Sequence, residues 1–454
     1  MKTPLILAMA CTTLFGCSAI VKTPYQAPQV NVPAQFAHTI TGQNITDKWW
    51  TLFNDTQLNQ LIDRVLKENN NLAVAGIAIQ QARLQAGLQA DQQGLRVSSS
   101  VSAGHRLDIH SGDDSSQGLS ASASVSYELD LFGKLARQTD AAKWEAQATE
   151  QDLEATAQTL VGTTAKLYWQ LAYLHESRTI AQANITSSQK LYDLVNIQYK
   201  AGAVSGLELT QAAQAVQSQK ATFSQIEQNL VETRTAIAVL LHVPVQQLNI
   251  TEPTQLPNIT LPTIESGLPA ELLARRPDLK ASELRLRKVL ATADATRASY
   301  YPSISLTGNL GASSTSLVAL IKNPVLTLGA NLSLPFLQYN DMKKNIAVSQ
   351  LDYEKAIITY RQSLYQAFAD VENALSARNQ LTAQMNAQQQ NLALAQKAEN
   401  LINVQYRYGS VALKNVLDQQ QTTRSTRLSL LNLQQSQYNA YVTLMQALGG
   451  RPTT

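Results

Sequence analysis

Apolar residues recur along this chain with two periods, and the switches between them lay out its elements. Leu153, Ala157, Leu160, Thr164, Leu167, Leu171 and Leu174 are spaced alternately four and three apart, the heptad seam of a packed long helix. Leu364, Phe368, Val371 and Leu375 keep the same spacing. No proline occurs between Pro33 and Pro244, and from 135 to 201 the only glycine is Gly162, so a helix can run unbroken there. At 1.5 Å per residue it would span roughly 100 Å, too long for a globular core. The later stretch has no proline between Pro335 and Pro452 and no glycine between Gly329 and Gly409. Elsewhere the period is two. Leu119, Ala121, Ala123, Val125, Tyr127, Leu129 and Leu131 alternate with small or polar residues, as do Leu326, Leu328, Ala330, Leu332, Leu334 and Phe336. Shorter partners at 97–104 and 304–310 complete two hairpins, with polar loops at 105–117 and 311–323.

The two sets are one pattern repeated. Leu72 and Leu279, Tyr199 and Tyr406, Gly202 and Gly409, and Leu241 and Leu448 all differ by 207 positions. Each copy reads as helix, strand pair, very long helix, second helix, which suggests a pseudo-symmetric wall instead of a pocket enzyme. The expected division is a signal peptide at 1–16, an extended Pro-bearing tether at 17–48, a first repeat at 49–248, a linker at 249–268, a second repeat at 269–448 and a tail at 449–454. The strands are about as long as a membrane-spanning strand must be, about 9–11 residues. Four strands cannot close a barrel, and an open edge in lipid leaves backbone groups unpaired at several kcal/mol each, so membrane insertion requires oligomerisation. The mature chain has no apolar run of about 18 residues, which excludes a transmembrane helix. The alternative is a small water-soluble sandwich, a fold that normally uses more strands.

Composition narrows the setting. The formal charge of +3 comes from scattered Lys and Arg residues, so no nucleic-acid partner is implied. Lys2 followed by a short apolar core at 5–15 reads as a secretory signal. Leu14-Phe15-Gly16-Cys17 resembles the lipobox of bacterial lipoproteins, in which the cysteine becomes the acylated first residue. Ser18 follows it, and with no acidic residue there the resemblance implies sorting to the outer membrane. Cys11 lies in the removed segment, so no pair remains for a disulfide.

With these segments together, the chain resembles the TolC-type outer membrane factor family, in its lipoprotein branch serving tripartite efflux systems. The resemblance rests on the lipobox, WWTLFNDTQLNQLI at 49–62, YELDLFGK at 127–134, RRPDLKASELRL at 275–286, YYPSISLTG at 300–308 and two glycine-bearing turns. It implies a mainly α fold with a membrane β-barrel: a homotrimer in which each chain gives four strands to a twelve-stranded barrel and long helices to a coiled-coil tunnel. Helical hairpin tips fall at Gly202, Ala203, Val204, Ser205, Gly206 and Leu207, and at Gly409, Ser410, Val411, Ala412 and Leu413, where glycine permits the reversal. In the family such tips meet a periplasmic adaptor. Glu208 and Arg407 match the acidic and basic partners of a lock at the periplasmic end. Asp418 matches the aspartate that rings the axis at the pore constriction, where three carboxylates would attract cations and repel anions. Lys414 stands one turn earlier, where relatives often have an apolar residue, placed to pair with Asp418 at i, i+4. Asn415 occupies the site of a second acidic ring found in some members.

No nucleophile–base pair, phosphate loop or paired metal motif appears, so the chain reads as no enzyme. His105, Asp108, His110, Asp113 and Asp114 share one loop, but two histidines at i, i+5 are a weak metal signal and a solvated loop is the better reading. His38, His175 and His242 look isolated. The expectation is a passive outer membrane exit duct for drugs or other small toxic compounds, needing no cofactor beyond the lipid on Cys17. Its partners would be outer membrane lipid, a periplasmic adaptor and an inner membrane transporter. The alternatives are a duct for metal ions or secreted polypeptides, or a lipid-anchored coiled-coil scaffold that conducts nothing.

Overall fold

The computed structural model describes residues 21–37, 47–107, 114–257, 261–262, 269, 272–314, 322 and 324–452. The elements follow the order of the repeat. Helices α1 (Thr56–Glu68) and α2 (Asn70–Asp91) lead to strands β1 (Arg96–Leu107) and β2 (Asp114–Leu129), then to helices α3 (Lys134–Lys200) and α4 (Gly206–Leu240). The second copy has α5 (Leu272–Arg275) and α6 (Pro277–Ala298), strands β3 (Ser303–Ser314) and β4 (Val325–Ser333), and helices α7 (Tyr339–Arg407) and α8 (Leu413–Ala447). The expected unbroken helices are present, with 67 residues in α3 and 69 in α7. No described helix is long and apolar enough to cross a membrane.

The chain divides into two compact units, each drawing on both copies. The first takes the described residues of Met1–Val30, Ala75–Asp152 and Asp278–Ser363. It holds an antiparallel sheet in the order β1-β2-β3-β4. Ion pairs tie its helices together: Arg83 to Glu150 at 2.7 Å, Lys288 to Glu145 at 3.0 Å, and Arg285 to Asp152. Asp130 starts α3 by accepting from the N–H groups of Leu135 at 3.0 Å and Ala136 at 2.7 Å, which satisfies donors that a helix start leaves open.

The second unit takes the described residues of Asn31–Val74, Leu153–Pro277 and Leu364–Thr454. Most of the heptad positions named above lie in its interior: Leu160, Thr164, Leu171, Leu364, Val371 and Leu375 are all buried, while Leu153 and Leu167 are half-buried. Trp49 and Trp50 open a 3-10 turn, Trp49–Phe53, and are buried. Phe53 lies 4.7 Å from Trp169 and 5.3 Å from Tyr441, and Trp169 lies 5.1 Å from Tyr438, ring centre to ring centre. Asp55 caps α1 through Gln57 and Leu58 and takes the Tyr168 hydroxyl on its other oxygen at 2.9 Å. Burial, and then that bond, push the Tyr168 phenol above its ordinary value.

Several expectations are corrected. Strand β1 runs past Gly104 to Leu107 and β2 begins at Asp114, because the ladder continues through the Gly104–Gly118 and His105–Gln117 pairs. His105 and Asp114 are therefore strand residues, and Asp108, His110 and Asp113 lie outside the described residues. Likewise β3 extends to Ser314. Leu131 follows the end of β2, where Asp130 turns to cap α3. Leu334 and Phe336 fall outside β4, because Pro335 has no N–H for the ladder and opens a 3-10 turn, Pro335–Leu337. The signal segment, Cys17 and His38 also lie outside the described residues.

Candidate functional site

Register gives the sheet two chemically distinct faces. On one, Ser98, Ser100 and Ser102 stand opposite Ser124, Ser122 and Ser120, with hydroxyl pairs at 2.7, 2.9 and 2.8 Å. The same face continues through Ser124–Asn309 and Ser126–Thr307 into Asn309–Thr327 and Ser305–Asn331. Among its described side chains the charged ones are Arg96 and Glu128, both near the end where β2 leads to α3, and Glu128 pairs with Lys134 at 3.0 Å. The other face carries Val97–Val125, Ala123–Leu310, Tyr127–Leu306 and Leu310–Leu326. It is open: Val101 is 81% and Leu328 77% exposed. A bare apolar sheet loses roughly 25 cal/mol for each Å² left in water, so this face calls for lipid or another apolar cover. Strands β1 and β4 are the edges, with no partner beyond them among the described residues.

The hairpin tips are two versions of one device. Gly202 at φ 71° and Gly409 at φ 73° occupy the left-handed region. Each closes its long helix with paired bonds, Gly202 N–H to Tyr199 O and Ala203 N–H to Gln198 O, then Gly409 N–H to Tyr406 O and Ser410 N–H to Gln405 O, all 2.8–2.9 Å. This is the double closure that satisfies the last carbonyls of a helix. The returning helices differ: Ser205 and Glu208 cap α4, whereas Ala412 gives α8 no side-chain cap. Val195, Ala212 and Leu413 form a buried cluster beneath the turns, with Val204, Tyr406 and Leu417 packed on it. The outermost residues are apolar and open, Leu207 at 66% and Tyr408 at 83% exposed.

The site residues fall around these tips in an unexpected pairing. The Glu208 carboxylate accepts from the Ser205 N–H at 2.8 Å and its hydroxyl at 3.3 Å. Among the described residues it makes no ion pair with Arg407. Its other neighbour is Tyr406, whose phenol is pushed up by burial and then by the Glu208 charge. The Tyr406 hydroxyl donates to Gln198 Oε1 at 3.0 Å, joining the ends of α3 and α7. Lys414 does reach Asp418, Nζ to Oδ2 at 2.5 Å, with both side chains exposed. The repeat marks Tyr406 as the equivalent of Tyr199, but the pattern carries no sign of its bond to Gln198 or of its closeness to Glu208.

His175 is not isolated. Its Nε2 lies 2.6 Å from Glu252 Oε2, and Arg234 grips the same carboxylate from Nε at 2.6 Å and from its NH2 group at 2.8 Å. Burial alone would raise the Glu252 pKa; the bonds from Arg234 and His175 together reverse this and hold it below the ordinary value. The linker is strapped down further by Arg64 to Asn249 O at 2.7 Å and Arg378 to Pro262 O at 2.7 Å. Among the described residues no three His, Cys, Asp or Glu side chains gather as a metal site.

A family model described as outer membrane efflux protein matches residues 61–241 and 268–450, one segment for each copy of the repeat. The chain is 32% identical over 416 residues to the pyoverdine export outer membrane protein OpmQ of Pseudomonas putida, covering 89% of this chain and 88% of that one. It is 27% identical over 457 residues to the cation efflux system protein CusC of Escherichia coli K12, covering 98% of each. The solved open state of the Neisseria gonorrhoeae MtrE outer membrane channel superposes with a TM-score of 0.81 at 27% identity, over 94% of this chain and 98% of that one.

Proposed function

The chain belongs to the outer membrane efflux protein family, and from that premise we propose that it is the exit duct of a tripartite efflux system. The observation that carries this reading is the two-faced sheet with open edges at β1 and β4. Its apolar face suits lipid, its hydroxyl face suits water, and its edges need neighbours. A homotrimer meets all three needs, with β4 of each copy pairing to β1 of the next in a twelve-stranded barrel. The acylated Cys17 would anchor each copy to outer membrane lipid.

The exposed Leu207 and Tyr408 with the small residues Gly202–Gly206 and Gly409–Ala412 offer an adaptor a surface for close helix-tip contact. The three Asp418 side chains form the constriction, each partly offset by its own Lys414. Energy comes from the inner membrane transporter, and the duct itself needs no catalytic step or cofactor. Drugs or other small toxic compounds are the proposed cargo. Cations are the second candidate, favoured by the match to CusC across nearly the whole chain.

Single-channel conductance in planar bilayers tests the reading. The wild type should give small cation-selective currents, Asp418→Ala should enlarge them or lose selectivity, and Lys414→Ala should sharpen selectivity. Silence from a verified membrane-inserted trimer, in the wild type and all variants, would favour a scaffold.

A further inference from the structure

The N-terminal segment, expected as an extended tether, is bound to α6 at its first described residues. Val21 is buried. Thr23 donates to one carboxylate twice, from its N–H to Asp294 Oδ2 at 2.7 Å and from its hydroxyl to Asp294 Oδ1 at 2.6 Å. Asp294 is otherwise almost closed off, its side chain 3% exposed, with Arg297 no nearer than 3.9 Å. A carboxylate so buried is costly unless charge-assisted hydrogen bonds satisfy it, and here the tether supplies two. Two residues on, the Arg287 guanidinium lies over the Tyr25 ring at 4.3 Å and the Trp144 ring at 5.4 Å, while Glu283 holds it from the side at 2.7 Å. Stacking of this kind favours arginine, whose planar cation is weakly hydrated. Pro24 between the two contacts limits the freedom that the segment must give up.

We propose that α6 and the start of α3 form a built seat for residues 21–25, read through Asp294 on Thr23 and through the Arg287–Trp144 pair on Tyr25. The seat holds the exported N-terminus to the strand-bearing unit. Its consequence for anchoring rests on the proposed acylation of Cys17. Four Cα steps separate Cys17 from Val21, and a chain reaches at most about 3.3–3.6 Å per residue, so the acyl site stays within about 14 Å of the seat. The anchor and the strands are thereby kept in register with each other, where a free tether would let the lipid wander.

Hydrogen exchange of the full-length protein in detergent, followed by mass spectrometry of the peptide covering residues 21–30, tests the seat. The wild-type peptide should be protected. Thr23→Val keeps the backbone donor and leaves α6 untouched, and it should speed exchange of this peptide about tenfold or more, with the strand peptides unchanged. Asp294→Ala should abolish the protection, and Arg287→Gln should weaken it. Protection of the peptide in Thr23→Val and Arg287→Gln equal to wild type would overturn the proposal, as would a wild-type peptide that exchanges at the unstructured rate. Cys17→Ala separates the seat from the lipid. Protection that persists supports the seat, and protection that vanishes means that the lipid held the segment and the seat did not. The mass of the Cys17 peptide reports acylation independently, so an unmodified cysteine beside a protected segment would sink the anchor reading and leave the seat standing.

Discussion

Ser122 and Ala123 are adjacent in β2, yet the same substitution should have opposite outcomes at the two. Ser122 faces Ser100 at 2.9 Å between hydroxyls and stands opposite Gly311 on its other side. Ala123 faces Ser99 and Leu310 on the apolar side. In a barrel, lysine at position 122 would lose about 0.5–1.5 kcal/mol of neutral hydrogen bonding and place its ammonium in water. Lysine at 123 would face lipid, at about 2–4 kcal/mol per chain near the bilayer midplane. Three copies bring that to about 6–12 kcal/mol, comparable with the whole stability of a typical domain. Ser122→Lys should therefore assemble as an outer membrane trimer that resists dissociation on unheated gels, with its conductance shifted towards anions. Ala123→Lys should fail to insert or run as monomer. Equal tolerance of the two lysines, or failure of Ser122→Lys alone, would refute the assignment of faces and bring back the soluble sandwich.

Other expectations concern the helical unit and the tips. Gly449 sits at φ +79°, and a Cβ there would come within 2.9 Å of the Arg275 backbone. Gly449→Ala should cost at least about 1–2 kcal/mol from the left-handed backbone alone, read as a lowered midpoint in denaturant unfolding. Glu252 titrates below its ordinary value, so its stabilising contribution is complete above that value and is lost as pH falls through the folded pKa. Stability of the wild type should thus fall off more steeply on the acid side of about pH 4.5 than that of Glu252→Gln; parallel acid curves would show that the Arg234 and His175 bonds contribute nothing. Glu208→Gln keeps the reach-back to Ser205 and drops the charge, whereas Glu208→Ala loses both. If the charge matters to closure, conductance rises equally in the two variants; if only the cap matters, it rises in the alanine variant alone.

What could be read from the sequence was what is encoded locally. The long helices were legible because nearly seventy residues without proline, and with no glycine but Gly162, leave the backbone little else to do, and the heptad seam fixes the buried side. The strand faces were legible because period two survives any error in strand length. Strand ends were not, since the Gly104–Gly118 pair extends a ladder by backbone bonds that side-chain type does not report. Buried charge partners were invisible for a different reason: Thr23 and Asp294 lie 271 positions apart, and His175 and Glu252 lie 77 apart. Glu208 is the instructive case. Ser205-Gly206-Leu207-Glu208 carries the local S-x-x-E signature of a capped helix start, and within the chain Glu208 closes that cap. The cap is worth about 0.5–2 kcal/mol and an exposed ion pair about 0–1. Within one chain the cap wins, and in the proposed trimer a closure through Arg407 would be made between chains, in competition with that cap. In the proposed duct, a latch so weakly favoured would be one that an adaptor of modest affinity can open.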